Sequence, residues 1–123
     1  TTIEVKTSAY LQAWDQYKLS TIQFTGLRSR VWTTEGGLTP TPTYNADVYV
    51  FAIQTARTHE EYNPLLASQW RFHVLPKGTV EDLGQESIGL ATLERLAGPS
   101  IAYEELSEAI NAAARRDNKS PQH

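Results

Sequence analysis

The strongest pattern lies mid-chain, where Ala46 to Gln54 carries apolar side chains at successive positions. In an extended chain Val48, Val50 and Ala52 point to one side and Tyr49, Phe51 and Ile53 to the other. Both faces are apolar, which places this stretch in the centre of a sheet covered on both sides. Asp47, at its entrance, reads as a turn residue. The opening stretch alternates instead: Ile3, Val5 and Thr7 face one way, Glu4, Lys6 and Ser8 the other. Its apolar side is expected to meet the core and its polar side to be open. A third strand runs from Gln69 to Leu75 and stops at Pro76, with His73 on its less apolar face. Ser20 to Leu27 and Ser29 to Thr33 are further extended stretches, either one bent strand or a hairpin around Gly26.

Helical spacing appears in two places. Ser8 can cap a short helix from about Ala9 to Tyr17, in which Tyr10, Trp14 and Tyr17 recur at three and four residues and Gln12 and Gln16 share a face. Near the end, Ser100 can cap a helix from about Ala102 to Arg115, with Leu106, Ile110 and Ala113 as its apolar stripe and Arg115-Arg116 at its negative end. Between them lie short helical pieces at Thr79 to Leu83 and Ala91 to Leu96, and a small extended piece at Ser87 to Leu90. Thr34 to Asn45 has the Gly, Pro and Thr content of a long loop, and Asn63-Pro64 marks a turn in the polar stretch from Arg57 to Ser68. Strands mixed with helices predict an α/β or α+β domain, a mixed central sheet flanked by helices with a C-terminal helix, over residues 1–116. A polar tail follows at 117–123.

Composition narrows the function classes. With 123 residues, 40% of them hydrophobic and 20% charged, the chain suits a single core. No cysteine is present, which removes disulfides, zinc fingers and thiol nucleophiles and fits a cytoplasmic setting. The longest apolar-leaning run, Val48 to Ile53, is too short to cross a bilayer, so no membrane partner is expected. The chain contains no methionine and opens Thr1-Thr2 straight into a strand, so we expect a segment upstream of it. Net charge is -3, yet residues 1–57 carry a net +1 and the remainder a net −4. An anionic partner would therefore meet the first half, where Lys18, Arg28 and Arg30 are candidate phosphate contacts, while the acidic second half suits a protein partner.

Phosphate loops, dinucleotide fingerprints, serine-nucleophile elbows and zinc-binding His-Glu-x-x-His helices are missing from the sequence. What remains is Glu4-x-Lys6 on the polar side of a core strand. A carboxylate holds a hard cation through oxygen, and an ammonium two residues on points to the same side, where it can meet a phosphate. A solvated, weakly paired edge strand would show the same spacing. Mg²⁺ or Mn²⁺ would also need a second carboxylate.

Ile3-Glu4-Val5-Lys6 on a strand, with a glutamine-bearing helix directly after it and later buried strands, resembles the second half of the PD-(D/E)xK, or restriction-endonuclease-like, nuclease superfamily. More narrowly, the run from Ile3 to Gln16 together with Ala46 to Phe51 is similar to a group of bacterial proteins without an assigned activity. The resemblance implies Glu4 as a metal ligand with the Val5 carbonyl beside it, Lys6 as the catalytic lysine, and Gln16 or Gln12 as a supporting group. It implies a Mg²⁺- or Mn²⁺-dependent endonuclease acting on DNA. The superfamily's first acidic residue lies on the strand before Glu-x-Lys, which here would precede Thr1. A chain lacking that residue would instead be an inactive nucleic-acid-binding or protein-interaction module of the same fold. A homodimer with a shared sheet is the third expectation, since Trp14, Trp32 and Trp70 could bury surface there.

Overall fold

The structure, a computed structural model, describes residues 1–12, 18–28, 32–33, 37–38 and 44–119. The strands and helices in chain order are β1 (Ile3–Ala9), β2 (Gln23–Phe24), β3 (Trp32–Thr33), β4 (Gly37–Leu38), β5 (Val48–Gln54), β6 (Trp70–Pro76), α1 (Lys77–Leu83), β7 (Ile88–Gly89), α2 (Leu90–Ala97) and α3 (Tyr103–Lys119). This is a mixed α+β architecture ending in a helix. Its main sheet has the order β1-β5-β6, with β1 parallel and β6 antiparallel to β5. Two small antiparallel pairs, β2 with β7 and β3 with β4, lie outside it.

All seven residues of β5 are buried, as its two-sided apolar pattern requires. On one face Tyr49, Phe51 and Ile53 join Ile22, Phe24, Leu27, Val80, Ile88 and Leu93, so the β2–β7 pair, α1 and α2 cover this side. On the other, Val48, Val50 and Ala52 meet Leu106, Ile110 and Ala113 of α3, the stripe expected from its spacing. The start of α3 is held differently from expectation. Ser100 accepts a hydrogen bond on Oγ from Arg71 Nε at 3.0 Å, and its carbonyl accepts from the same guanidinium at 2.8 Å. Glu105 Oε1 takes the Ala102 N–H at 3.1 Å instead. The helix also runs on to Lys119, so part of the expected tail is helical.

Three local expectations change. β1 extends to Ala9, and residues 10–12 are not helical; residues 13–17, where the helix was expected to continue, lie outside the described residues. Ile22 and Phe24 are buried between exposed Thr21, Gln23 and Thr25, as alternation predicts, but the ladder is only two residues long. It stops because Gly26 turns at φ 69° and Leu27 N–H then bonds the Glu86 carbonyl at 2.8 Å. In the loop expected from Thr34 to Asn45, Gly37–Leu38 pairs with Trp32–Thr33.

The covered face of the first strand is the reverse of expectation. In β1, Ile3 and Val5 remain 47% and 58% exposed, while Glu4, Lys6 and Ser8 are half-buried opposite Tyr49, Phe51 and Ile53. The reason lies in α3, which packs on β6 and β5 and leaves the β1 strip of that face open. In β6, His73 pairs with Phe51 and is 2% exposed, so the less apolar side of this strand faces the larger core.

Burial holds the His73 imidazole below the usual histidine range, against the pull of Glu94 and a hydrogen bond to Gly98. Its Nδ1 has no partner, so protonation would place a new N–H in an apolar site. A depressed folded pKa means that the unfolded chain binds the proton more readily. Stability is then fully present above the unfolded value, about 6.5, and is lost as pH falls from there through the folded value, by at most about 1.4 kcal/mol per pH unit. Chemical denaturation at pH 7.5 and 5.5 should show this loss in the parent and not in His73→Gln. Equal slopes in the two proteins would contradict it.

Candidate functional site

Alternation along β1 and its parallel register with β5 put Glu4 beside Tyr49 and Lys6 beside Phe51. Glu4 Oε2 and Lys6 Nζ form an ion pair at 2.9 Å, with side chains 33% and 24% exposed respectively. Lys6 Nζ also lies against the Gly26 turn, where a Cβ would stand 3.3 Å from it. Phe24, just before that turn, packs edge-on against Phe51 at 5.1 Å between ring centroids. The pair therefore sits between sheet and turn.

Tyr49 is the buried neighbour of the pair. Its hydroxyl accepts the Ala46 N–H at 3.3 Å. Burial pushes the phenol above its usual range, and the negative charges of Glu4 and of Glu81 on α1 add to the shift. Asp47 does more than turn the chain: its carboxylate accepts the Thr2 N–H at 2.9 Å, and its own N–H donates to Thr2 Oγ1 at 3.0 Å. Hydrogen bonding from the Thr2 backbone, then from its side chain, holds the Asp47 carboxyl below its usual range, and the links between Thr2 and Asp47 clamp the start of β1 to β5.

The other expected site residues scatter. Val5 directs its side chain to the opposite face from the pair. Lys18 and Arg28 are exposed, and Gln16 and Arg30 lie outside the described residues. Gln12 donates from Nε2 to the Ala9 carbonyl at 3.1 Å and lines a cleft of about 530 Å³ beyond the carboxyl ends of β1 and β5, whose walls include neither Glu4 nor Lys6. Sequence reasoning placed Gly26 at a possible turn and Tyr49 in the central strand without bringing either to the pair, and it missed the cleft itself. Only the glycine carried a signal, as the one residue in its stretch suited to a left-handed turn.

Among the described residues no three His, Cys, Asp or Glu side chains come together as a metal site. One carboxylate, already bound to an ammonium, does not meet the six-oxygen demand of Mg²⁺ or Mn²⁺. The described residues thus do not by themselves fit such an ion. No helix among them is long and apolar enough to cross a membrane. Compared with models of protein families, with curated proteins and with solved structures, the chain matches none.

Gly26→Ala forces a positive φ on a residue with a side chain and presses a methyl group toward Lys6. A destabilisation of about 1–2 kcal/mol is expected. The pair should also respond, seen as a changed Lys6 ammonium signal in NMR relative to the parent. An unchanged signal with unchanged stability would show that the turn does not hold Lys6.

Proposed function

We propose that the Glu4–Lys6 face of β1 is the Glu-x-Lys part of a nuclease-like, restriction-endonuclease-type protein that hydrolyses phosphodiester bonds in DNA. The observation that supports the reading is the ion pair itself: two opposite charges on one face of a sheet strand, half-buried against Gly26 and beside a buried tyrosine. A surface pair contributes about 0–1 kcal/mol, and partial burial of both charges adds a desolvation cost, so stability alone is a weak reason for this one. In this reading Lys6 Nζ meets a phosphate oxygen and offsets the charge that grows there as water attacks phosphorus in line. Glu4, with the Val5 carbonyl, belongs to the Mg²⁺ or Mn²⁺ site. A second carboxylate from outside the described residues is required to complete it. Lys18 and Arg28, both exposed, would contact the DNA backbone. A cytoplasmic setting goes with the reading.

A second reading keeps the fold without catalysis, as a nucleic-acid-binding or protein-interaction module. The engagement of Glu4 by Lys6, with no third metal ligand among the described residues, favours it.

Metal-dependent stability separates the two. Under the first reading Mn²⁺ or Mg²⁺ at a hundredfold excess over its Kd stabilises the fold by about 2.7 kcal/mol, raising Tm by several degrees. Glu4→Gln removes the shift, and Lys6→Ala lowers DNA cleavage by roughly a hundredfold or more. A parent protein that neither shifts nor cleaves, yet binds DNA, would decide for the second reading.

If Arg28 meets a phosphate, Arg28→Ala should weaken binding to all DNA sequences alike. It should also reduce the slope of log affinity against log salt by about one. An unaltered slope would remove Arg28 from the interface.

A further inference from the structure

The cleft beyond β1 and β5 is built by a long connection held unusually firmly. Between β5 and β6 the only regular element is a single 3₁₀ turn, Ala67–Gln69, yet side-chain hydrogen bonds cross the whole segment. Gln69 organises it: its Oε1 accepts from Gln54 Nε2 at 3.0 Å and from Asn63 N–H at 2.9 Å, and its Nε2 donates to the Glu61 carbonyl at 2.6 Å. Thr55 donates its N–H and its hydroxyl to the Gln69 carbonyl, at 2.8 and 2.7 Å. Trp70 Nε1 donates to the Pro64 carbonyl at 3.0 Å, which fixes the orientation of the indole. The wall is therefore formed before any ligand arrives, which lowers the ordering cost of binding.

The lining states what would bind. Trp70, Tyr62 and His59 supply three planar rings, and Thr7, Tyr62 and Gln12 supply hydroxyl and amide groups. Among the described residues, no lysine, arginine, aspartate or glutamate lines the cleft. A charged ligand would lose hydration against these described walls and find no opposite charge on them, whereas a neutral planar ring with a hydrogen-bonding edge finds both stacking surfaces and partners there. The volume, about 530 Å³, lies within the range of small-molecule sites and accommodates a nucleoside.

We propose that this cleft binds an uncharged planar heteroaromatic ring of the nucleobase type, packed among Trp70, Tyr62 and His59 with its polar edge toward Thr7 and Gln12. The inference makes no use of Glu4 or Lys6 and stands apart from the nuclease reading.

The test is an NMR titration with adenosine and with thymidine, following the Trp70 indole N–H signal, which is assigned by its loss in Trp70→Phe. A saturable shift in the millimolar range or below is expected, weakened roughly tenfold by Tyr62→Ala, the usual scale for loss of an aromatic stacking partner. Cyclohexanol, of similar ring size but not planar, should not shift the signal. The inference is overturned by the absence of a saturable shift up to about 10 mM nucleoside, by a shift that Tyr62→Ala leaves unchanged in a protein whose spectrum shows it folded, or by equal binding of cyclohexanol. Repeating the titration on Glu4→Gln keeps the two readings apart, because a saturable shift there supports the cleft whatever the outcome for cleavage.

Discussion

The burial of β5 on both faces is the constraint on which the rest of this fold depends. A strand with seven buried residues can leave no backbone group without a partner, so it needs a neighbour on each edge, and β1 and β6 supply them. Each of its faces also needs a cover. Tyr49, Phe51 and Ile53 draw in the β2–β7 pair, α1 and α2, while the smaller Val48, Val50 and Ala52 allow α3 to lie close. The side-chain sizes fit that division. Large rings and branched chains fill the gap beneath several short elements, and small residues lie under a single long helix.

That constraint also determines what the charged strand can be. β1 lies at one side of the main sheet, its register fixed by seven residue pairs with β5 and by the clamp between Thr2 and Asp47. Glu4 and Lys6 then have no choice but to share the face of Tyr49 and Phe51. Half-burial raises the cost of holding charges there, and their mutual attraction offsets it only in part. An apolar pair at these positions would extend the larger core at lower cost. Stability by itself therefore gives little reason for two opposite charges in such a place.

How much of this was legible in the sequence follows from which interactions are local. The central strand could be read because its pattern contains its own environment, and the stripe of α3 because Leu106, Ile110 and Ala113 repeat at helical spacing. Alternation in β1 correctly separated Ile3 and Val5 from Glu4 and Lys6 but assigned the covered side wrongly. Period two defines two faces; it carries no information on where a helix a hundred residues away will lie. In β6 the pattern puts His73 on the less apolar side, and only the pairing with β5 shows that this side meets Phe51 and Tyr49. The β2–β7 pair joins Phe24 to Ile88, and the network around Gln69 joins Gln54, Glu61 and Asn63; neither leaves a periodic trace.

The separation of Gln12 from the ion pair bears on the resemblance more than any single distance does. A glutamine that supports an acid and a lysine must approach them, yet Gln12 turns back onto the Ala9 carbonyl and borders a cleft that excludes both. Within the nuclease reading the supporting role thus passes to Gln16 or to no glutamine at all. The chain past Ala9 serves the cleft instead: Leu11 and Gln12 line it, and Tyr10 lies under the Arg57 guanidinium at 4.3 Å, which ties this segment to the loop bearing His59 and Tyr62. Charge lies beside the turn at Gly26, and aromatic surface lies beyond the strand ends. One strand therefore supplies two chemically distinct surroundings, and a change to either need not pass through the other.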